Sequence, residues 1–397
     1  MKRREFIKSG LGVAGLTLCG FPIELLANNP IRNKFLFLIE LRGGNDGLNT
    51  LVPLQQYKTY KKYRPQIGHD LKELKNNSIQ FQNESFGLHP ILTNFKSLFE
   101  NQNLSFLTGV GVKDHPINKS HFEMIEVWNR GDFKPSVSGW NTEILKSFNN
   151  DTNKGYCFGS NKLGPLIDSS SNIIKNFDDF KKIKLNLIKK KNTQRYNKSI
   201  AHVINTRNSA KELSKLKTSK IDFSNYTLTN GKLSEQMKLA LNILNSDKSA
   251  PIFKFTLGSF DTHTMQISRH ESLLMELDQS INGLIQGLKD LGIYDQSVIL
   301  TYSEFGRNPR ENKSGGTDHG TSSIQILAGG AINGGNIYGQ YPDLTDLINN
   351  KDLKASIDFR NVYSNIAYDF FKVPKNTSSQ SAFLSNKFNN DLGFIKY

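Results

Sequence analysis

Residues 35–47 read FLFLIELRGGNDG, and this stretch decides the fold class. Its first seven residues are apolar except for Glu40, and a glycine-rich turn follows at Gly43 and Gly44. A continuous apolar run bounded by glycine is typical of a strand buried on both faces of a parallel sheet. Similar runs predict further strands at Leu104–Leu107, Ile252–Leu257, Val298–Tyr302 and Ile324–Leu327.

Helical segments separate some of these predicted strands. One covers Ser234–Leu244, directly before the strand at Ile252, and the clearest covers Arg269–Leu291. The apolar face of the longer segment consists of Leu273, Leu277, Ile281, Leu284, Leu288 and Leu291. Strands that alternate with helices predict an α/β fold, a three-layer sandwich with a mostly parallel central sheet.

The composition is that of a globular protein, with 397 residues, 37% of them hydrophobic and 22% charged. The formal net charge is +15, but the basic residues form no recognisable nucleic-acid-binding module, so we predict no nucleic-acid partner. Residues 149–226 are rich in lysine and asparagine and predict a helical insertion, whose charge is either a solvated face or a contact for an anionic surface. Only Cys19 and Cys157 occur, which excludes a disulfide scaffold and a cysteine-based zinc site.

The N-terminus is predicted to be an export signal. Lys2, Arg3 and Arg4 precede a short apolar core from Leu11 to Phe21, which is much shorter than the roughly 20 residues that span a bilayer. The run from Arg3 to Lys8 resembles the twin-arginine motif. We therefore expect a signal peptide over residues 1–28, export to the periplasm or cell surface through the twin-arginine machinery, and no stable membrane anchor after cleavage. An amphipathic first helix is the alternative.

Two clusters of polar residues lie in the first third of the chain. Asp46 follows the first predicted strand and offers a hard oxygen ligand, although Asn-Asp-Gly is also a common turn. Ser120, His121 and Glu123 begin a predicted helix. Ser120 is interpreted either as an N-cap with Glu123 in a capping box or as a nucleophile or metal ligand at the helix N-terminus, and both interpretations can hold.

Two further clusters follow later strands. Asp261 and His263 come after the strand at Ile252, with His270 and Asp278 on the next helix. Carboxylate and imidazole ligands that are two residues apart on a loop suit a divalent metal. The last cluster, after the strand at Val298, contains Glu304, Arg307, Asp318 and His319, and we predict that the arginine forks onto an oxyanion.

Taken together, these segments resemble a bacterial family of twin-arginine-exported proteins of unknown function within the alkaline phosphatase/sulfatase superfamily. The matching stretches keep the family's order and are Leu41–Pro53, Gly87–Pro90, Ser120–Trp128, Gly258–Gln266, Ser303–Gly320 and Asp358–Tyr363. The resemblance implies an alkaline phosphatase-like α/β domain over residues 34–397, with the insertion at about 149–226 inside it.

The resemblance also implies roles for particular residues. Asp46 corresponds to the first metal-binding aspartate and Ser120 to the nucleophile. Two Asp/His pairs complete the implied ligand set: Asp261 with His263, and Asp318 with His319. The ligands would hold divalent ions, which we expect to be zinc, manganese or calcium, and the reaction would be in-line attack on a phosphate or sulfate ester.

The chain departs from the superfamily in three respects: the Asp261-x-His263 spacing is tighter than usual, Ser120-His121-Phe122 is not a standard nucleophile motif, and a late histidine is missing. It has no histidine after His319, where superfamily enzymes commonly place a metal-binding one. We expect His121 or Glu304 to take this place, or a single metal to bind. The sequence therefore predicts a metal-dependent ester hydrolase acting on an anionic small-molecule or polymer substrate; the alternative is a non-catalytic exported binding or assembly protein that retains the fold.

Overall fold

A computed structural model describes residues 33–148, 154–176, 178–179, 182, 221–375 and 381–396. The predicted signal peptide and most of the predicted insertion lie outside these residues. The strands are β1 (Phe35–Leu41), β2 (Leu51–Pro53), β3 (Ser78–Phe81), β4 (Glu84–Leu88), β5 (Leu104–Gly111), β6 (Gly155–Cys157), β7 (Asn172–Ile173), β8 (Ile252–Leu257), β9 (Ser297–Tyr302), β10 (Arg307–Glu311), β11 (Thr317–His319), β12 (Ser323–Ala328), β13 (Ile337–Tyr338) and β14 (Ile357–Asp358).

The α-helices of the described residues are α1 (Gly47–Thr50), α2 (Tyr57–Tyr63), α3 (Leu71–Asn76), α4 (Thr93–Glu100), α5 (His121–Arg130), α6 (Trp140–Lys146), α7 (Lys232–Ser246), α8 (Gln266–Asp290) and α9 (Phe359–Asn365). Helix α9 continues into a short π-helical turn over Ile366–Phe370. Within the described part of the chain, no helix is long and apolar enough to cross a membrane.

Among the described residues, the main sheet has nine strands in the order β13-β5-β12-β9-β1-β8-β6-β7, with β14 paired to β5. Strand β12 runs antiparallel to both of its neighbours, β5 and β9, and the other pairs are parallel. Strand β1 lies in the middle, between β8 and β9. This arrangement confirms the predicted α/β sandwich with a mostly parallel sheet.

Both faces of β1 are covered, which explains its continuous apolar sequence. Phe37 and Ile39 pack on one side into a core that includes the apolar residues of α7 and α8. Leu36 and Leu38 pack on the other side with the apolar faces of α5, α6 and α9. Because side chains alternate along a strand, a run without polar gaps is required when both faces are buried. Each such side chain contributes about 1.5–3 kcal/mol relative to an exposed one.

Two of the differences between the predicted and the observed boundaries bear on the site and on the sheet. Helix α8 begins at Gln266 rather than at Arg269, because Met265 adopts a left-handed conformation (φ 50°) and precedes the first turn. Within the predicted insertion, Gly155–Cys157 and Asn172–Ile173 form β6 and β7 at the edge of the main sheet. The insertion predicted from residue 149 therefore begins with strands of the central sheet.

Two small sheets flank the main one. Strands β2, β4 and β3 form one of them, and β10 and β11 form an antiparallel hairpin in which Arg307 lies opposite His319. This hairpin follows β9, so it brings residues of the last predicted cluster back over the carboxyl ends of β1, β8 and β9. Ligands in open α/β sheets bind at this end of the strands.

Candidate metal centre

Five side chains from four segments converge at the carboxyl end of the sheet. His121 is the first residue of α5, and His319 is the last residue of β11. Asp261 and His263 lie in the loop after β8, and Glu304 lies directly beyond β9. The sequence predicted all five as site residues, and the structure brings them together.

Asp261 is the centre of this cluster. Its Oδ1 lies 3.1 Å from His319 Nε2 and 3.1 Å from His263 Nε2, and its Oδ2 lies 3.3 Å from His121 Nε2. The Nε2 atoms of His263 and His319 are 3.0 Å apart. The ligand atoms of His121, Asp261 and His319 all lie within 4.8 Å of one another, so these three residues could hold one metal ion.

The two anchored imidazoles present the same nitrogen to Asp261. His319 Nδ1 lies 3.0 Å from the backbone carbonyl of Lys119, and His121 Nδ1 lies 2.7 Å from Glu304 Oε1. A carbonyl or carboxylate oxygen accepts hydrogen bonds, so each Nδ1 is the donor, and each Nε2 presents a lone pair when its ring is neutral. Metal-binding histidines are commonly oriented in this way by an outer carboxylate or carbonyl.

Glu304 is almost fully buried, at 1% exposure. Its Oε1 accepts hydrogen bonds from the Gly43 backbone N–H at 2.9 Å and from His121. Its Oε2 is buried without a hydrogen-bond partner among the described residues. A buried carboxylate oxygen left in this state is costly, which favours a cation beside it.

Lys119 was missed by the sequence analysis because its contribution comes from the backbone. Its φ of 56° places it in the left-handed region, and its Nζ lies 2.7 Å from Asp352 Oδ2. A left-handed non-glycine residue costs on the order of 1–3 kcal/mol and is common at functional sites. Here the residue with the left-handed conformation is the one whose carbonyl orients His319.

Hydrogen bonding and burial shift the pKa values of the cluster in different directions. Burial alone would raise the pKa of Asp261, but the hydrogen bond from Arg307 and the contact with His319 outweigh it and hold this pKa at about 2. The hydrogen bond to Glu304 raises the pKa of His121. Desolvation lowers the pKa of His319, which favours its neutral ring. The centre therefore combines an ionised carboxylate with a neutral imidazole.

The sequence predicted that the guanidinium of Arg307 binds an oxyanion, but in the structure its N–H groups already have other acceptors. Its side chain is fully buried, and its nitrogens donate to the backbone carbonyls of Gly43, Gly44, Phe260 and Thr317. Its Nη2 also donates to Asp261 Oδ1 at 2.8 Å. These contacts correct the predicted role: Arg307 ties the loops of the site together and orients the Asp261 carboxylate.

Asp46 is not among the converging side chains. It is fully buried, and its Oδ2 accepts hydrogen bonds from Arg64 Nη1 at 2.7 Å and from Gln266. Its Oδ1 accepts from the Asn49 N–H at 3.3 Å, as the N-cap of α1. The structure thus places Asp46, predicted as a metal ligand, in a buried ion pair with Arg64, the residue that directly follows α2. The spacing of the predicted cluster gives no sign of this partner.

Asp318 lies at the exposed rim of the centre. Its side chain is 58% exposed, and its Oδ1 lies 3.5 Å from His263 Nδ1 and 3.3 Å from Asn312 Nδ2. His263 thus bridges Asp318 to the central carboxylate of Asp261. The structure places the Asp318–His263 pair beside the three-residue group rather than inside it.

Ser120 occupies the N-cap position of α5 but makes no side-chain capping hydrogen bond. Glu123 accepts instead from the Asn118 amide, so the predicted capping box is not formed. Ser120 lies between Lys119, whose carbonyl binds His319, and His121, which faces Asp261. Ser120 is half-buried, and it lies on a segment that the centre holds on both sides.

Two other residues of the predicted third cluster have structural roles. His270 Nε2 lies 2.9 Å from Asn45 Oδ1, in a buried group of rings with His69 and His89. Asp278 accepts hydrogen bonds from the backbone N–H groups of Asn94 and Phe95 at the start of α4. Neither residue contributes to the group of His121, Asp261 and His319.

Part of the chain matches the model of one protein family. Residues 183–370 match the model of a family described as "Protein of unknown function (DUF1501)". The match covers just under half of the chain and includes Asp261, His263, Glu304 and His319, but not Ser120. Curated proteins give no match to the chain.

Several solved structures are similar to the chain at low sequence identity. The PsFucS1 sulfatase from Pseudoalteromonas sp. is 11% identical, with 94% of this chain and 75% of that chain covered and a TM-score of 0.45. The lipoteichoic acid synthase LtaP from Listeria monocytogenes is 11% identical, with 91% and 77% covered and a TM-score of 0.42. The phosphonate monoester hydrolase SpPMH from Silicibacter pomeroyi is 8% identical, with 88% and 75% covered and a TM-score of 0.40.

Proposed function

We propose that this chain is an exported metal-dependent hydrolase of phosphate or sulfate esters. One observation carries the proposal: two imidazoles, each anchored through Nδ1, direct Nε2 at opposite oxygens of the single carboxylate of Asp261. Both Nε2 atoms face the Asp261 carboxylate, and each directs a lone pair at it when its ring is neutral. A cation between them removes the resulting repulsion.

The distances fit a transition-metal ion. Ligand atoms that bond a tetrahedral zinc ion at about 2.0–2.1 Å lie roughly 3.3 Å apart. The separations in the cluster are 3.3 Å for His121 to Asp261, 3.1 Å for His319 to Asp261 and 3.0 Å for His263 to His319. The mixture of nitrogen and carboxylate ligands suits zinc or manganese better than calcium, which prefers oxygen.

In the proposed reaction, His121, Asp261 and His319 hold the metal, with His263 beside them. The metal supplies Lewis-acid polarisation of the ester oxygens when it is bound. Ser120, on the segment held between Lys119 and His121, attacks the phosphorus or sulfur atom in line. The ester bond to the alcohol breaks as the bond to Ser120 Oγ forms, and the alcohol leaves with the hydroxyl proton. Water then hydrolyses the serine ester, which releases phosphate or sulfate and restores Ser120. Glu304 orients His121, and Arg307 orients Asp261, so both residues set the geometry without contacting the substrate.

Export is part of the same proposal. The twin-arginine signal predicted for residues 1–28 would direct the folded, metal-loaded protein to the periplasm or the cell surface. There it would meet anionic ester substrates, with no role for nucleic acid. Fusing residues 1–28 to a reporter that is active only after export, with Arg3 and Arg4 replaced by lysine in the control, tests this step.

The activity is tested by metal analysis of the purified full chain, followed by turnover of aryl phosphate and aryl sulfate. We expect His319→Ala and Asp261→Asn to lose metal affinity by more than the roughly 10–100-fold cost of removing an outer-shell partner, and Glu304→Gln to fall within that range. His115→Ala, an exposed histidine outside the cluster, is the matched control. Ser120→Ala should keep the metal and lose turnover. Wild-type protein that binds none of zinc, manganese and calcium would contradict the proposal.

A second candidate function is a non-catalytic exported binding or assembly protein. The observation that favours it is that Arg307 and Asp46, both predicted to serve catalysis or metal binding, are fully buried in structural contacts. Metal-loaded wild type that hydrolyses neither ester, with Asp318→Ala reducing only stability, would favour this candidate over the hydrolase.

A further inference from the structure

Arg42 carries a guanidinium group that is partly exposed to solvent. Arg307, the arginine that the sequence singled out for an oxyanion, donates to four backbone carbonyls and to Asp261. Arg42 directly follows β1, and its side chain is 46% exposed. It therefore lies at the end of the central strand, where ligands bind in this class of sheet.

The backbone of Arg42 is fixed between two parts of the candidate metal centre. Its N–H donates to the Leu257 carbonyl at 2.9 Å, and its carbonyl accepts from the Phe260 N–H at 3.1 Å, one residue before Asp261. The next residue, Gly43, donates to Glu304 Oε1 at 2.9 Å. Arg42 is thus connected to two segments of the centre: its carbonyl binds the loop that holds Asp261, and its neighbour Gly43 binds Glu304.

The side chain of Arg42 is held by a buried acid. Its Nε donates to Glu40 Oε1 at 2.8 Å and its Nη2 donates to Glu40 Oε2 at 3.2 Å. Glu40 is 1% exposed and also accepts from Lys254 Nζ, which is itself 1% exposed. Such bidentate contacts fix the plane of a guanidinium, so its outer edge has a defined orientation.

Two basic side chains, Arg42 and Lys254, share the one carboxylate of Glu40. The carboxyl group of Glu304, in the candidate metal centre, also attracts Arg42. Lys254 is buried, so the part of this group that faces solvent is the Arg42 guanidinium. A preorganised cation at the rim of a site favours an anionic ligand.

We infer that Arg42 binds the tetrahedral oxyanion of the substrate beside the candidate metal centre, with Glu40 and Lys254 as the positioning residues that hold it. The inference rests on the proposed function for the identity of the ligand as a phosphate or sulfate group. The contact is charge-assisted: N–H groups at the outer edge of the guanidinium donate to oxygens of the anion.

The test measures binding of inorganic phosphate and of inorganic sulfate to the full, metal-loaded chain by calorimetry. A hydrogen bond to a charged group contributes enough that Arg42→Ala should weaken binding of the preferred anion by about 10- to 100-fold. Arg42→Lys keeps the charge without the fork and should give an intermediate loss. Arg269→Ala, an exposed arginine on α8, is the matched control and should change nothing. The two anions distinguish a phosphate from a sulfate substrate.

Metal affinity, measured on the same variants, separates this inference from the proposed function. We expect Arg42→Ala to keep wild-type metal affinity, because Arg42 contacts none of the three ligand residues. Unchanged anion binding in Arg42→Ala, or wild type that binds metal but neither anion, would overturn the role of Arg42 and leave the metal centre standing. If Arg42→Ala fails to fold, Arg42→Lys and Arg42→Gln give the same comparison, with the larger loss expected for glutamine.

Discussion

Replacing Asp46 by asparagine separates the two roles that this residue could have, because a metal ligand and a buried ion-pair partner fail in different ways. Asp46 Oδ2 and Arg64 Nη1 are 2.7 Å apart, and both side chains are completely buried. Removing one partner of such a pair leaves an uncompensated buried charge, which costs about 3–5 kcal/mol. Arg64 keeps its bonds to the carbonyls of Pro309 and Asn308, which lowers the expected cost toward about 3 kcal/mol.

The assay is urea unfolding of the wild type and Asp46→Asn, together with titration of both proteins with zinc and with manganese. We expect Asp46→Asn to lose about 3 kcal/mol in the free energy of unfolding and to keep the metal affinity of the wild type. Asp346→Asn removes one side of an exposed ion pair with Lys354 and is the matched control, expected to cost no more than about 1 kcal/mol. The reasoning would be refuted if Asp46→Asn kept its stability and lost metal binding, since Asp46 would then be the ligand that the sequence suggested.

Further predictions concern buried polar groups and one glycine. Burial lowers the pKa of His89 to about 2 and of His270 to about 4, so the unfolded chain takes up protons first. The contribution of these two neutral histidines to the free energy of unfolding is complete above pH ~6.5 and falls as the pH drops from ~6.5 toward 4. Each histidine should lower the free energy of unfolding by about 1.4 kcal/mol for each pH unit of this drop. Urea unfolding at pH 7, 6 and 5 should show this slope in the wild type and a smaller slope in His270→Gln. Asp278→Ala removes the acceptor of the first N–H groups of α4 and should cost on the order of 1–2 kcal/mol in the same assay; an unchanged midpoint would contradict the capping role. Gly43→Ala would place a Cβ 2.3 Å from the Asp261 backbone nitrogen, at φ 117°, and should reduce metal affinity as well as stability. Gly292→Ala, where φ is 65° and the space is open, controls for the backbone strain alone and should leave metal binding intact.

The fold was predictable because burial on both faces leaves a direct mark on sequence. The predicted strands Phe35–Leu41 and Ile252–Leu257 match the observed bounds of β1 and β8. The start of α8 was less accurate, because its first turn contains exposed Ile267 and buried Gln266, which reverse the usual amphipathic pattern. The antiparallel direction of β12 depends on the hairpin that precedes it, and an apolar run carries no sign of its direction.

The candidate site was predictable to the extent that strand ends meet at one edge of the sheet. This rule brought together Asp261, Glu304 and His319, and helix α5 added His121. It could not distinguish a ligand from a residue that a distant partner neutralises, and the structure places Asp46 and Arg307, predicted for the metal and the oxyanion, in buried contacts with other residues. A residue that contributes only its backbone, such as Lys119, cannot be predicted from its side-chain type, because every residue has a carbonyl.

The central place of β1 has a consequence for how the chain is made. Leu36 lies opposite Ile252 on one side and Val298 on the other, so this early segment pairs only with residues that leave the ribosome much later. Until then, a strongly apolar segment with two open edges has no native partner, and topologies of this kind fold slowly and are prone to aggregate. A nascent chain that stops before Ser297 lacks the whole of β9 and leaves one edge of β1 bare. Translation must therefore pass the end of β9 before the core that surrounds β1 can close.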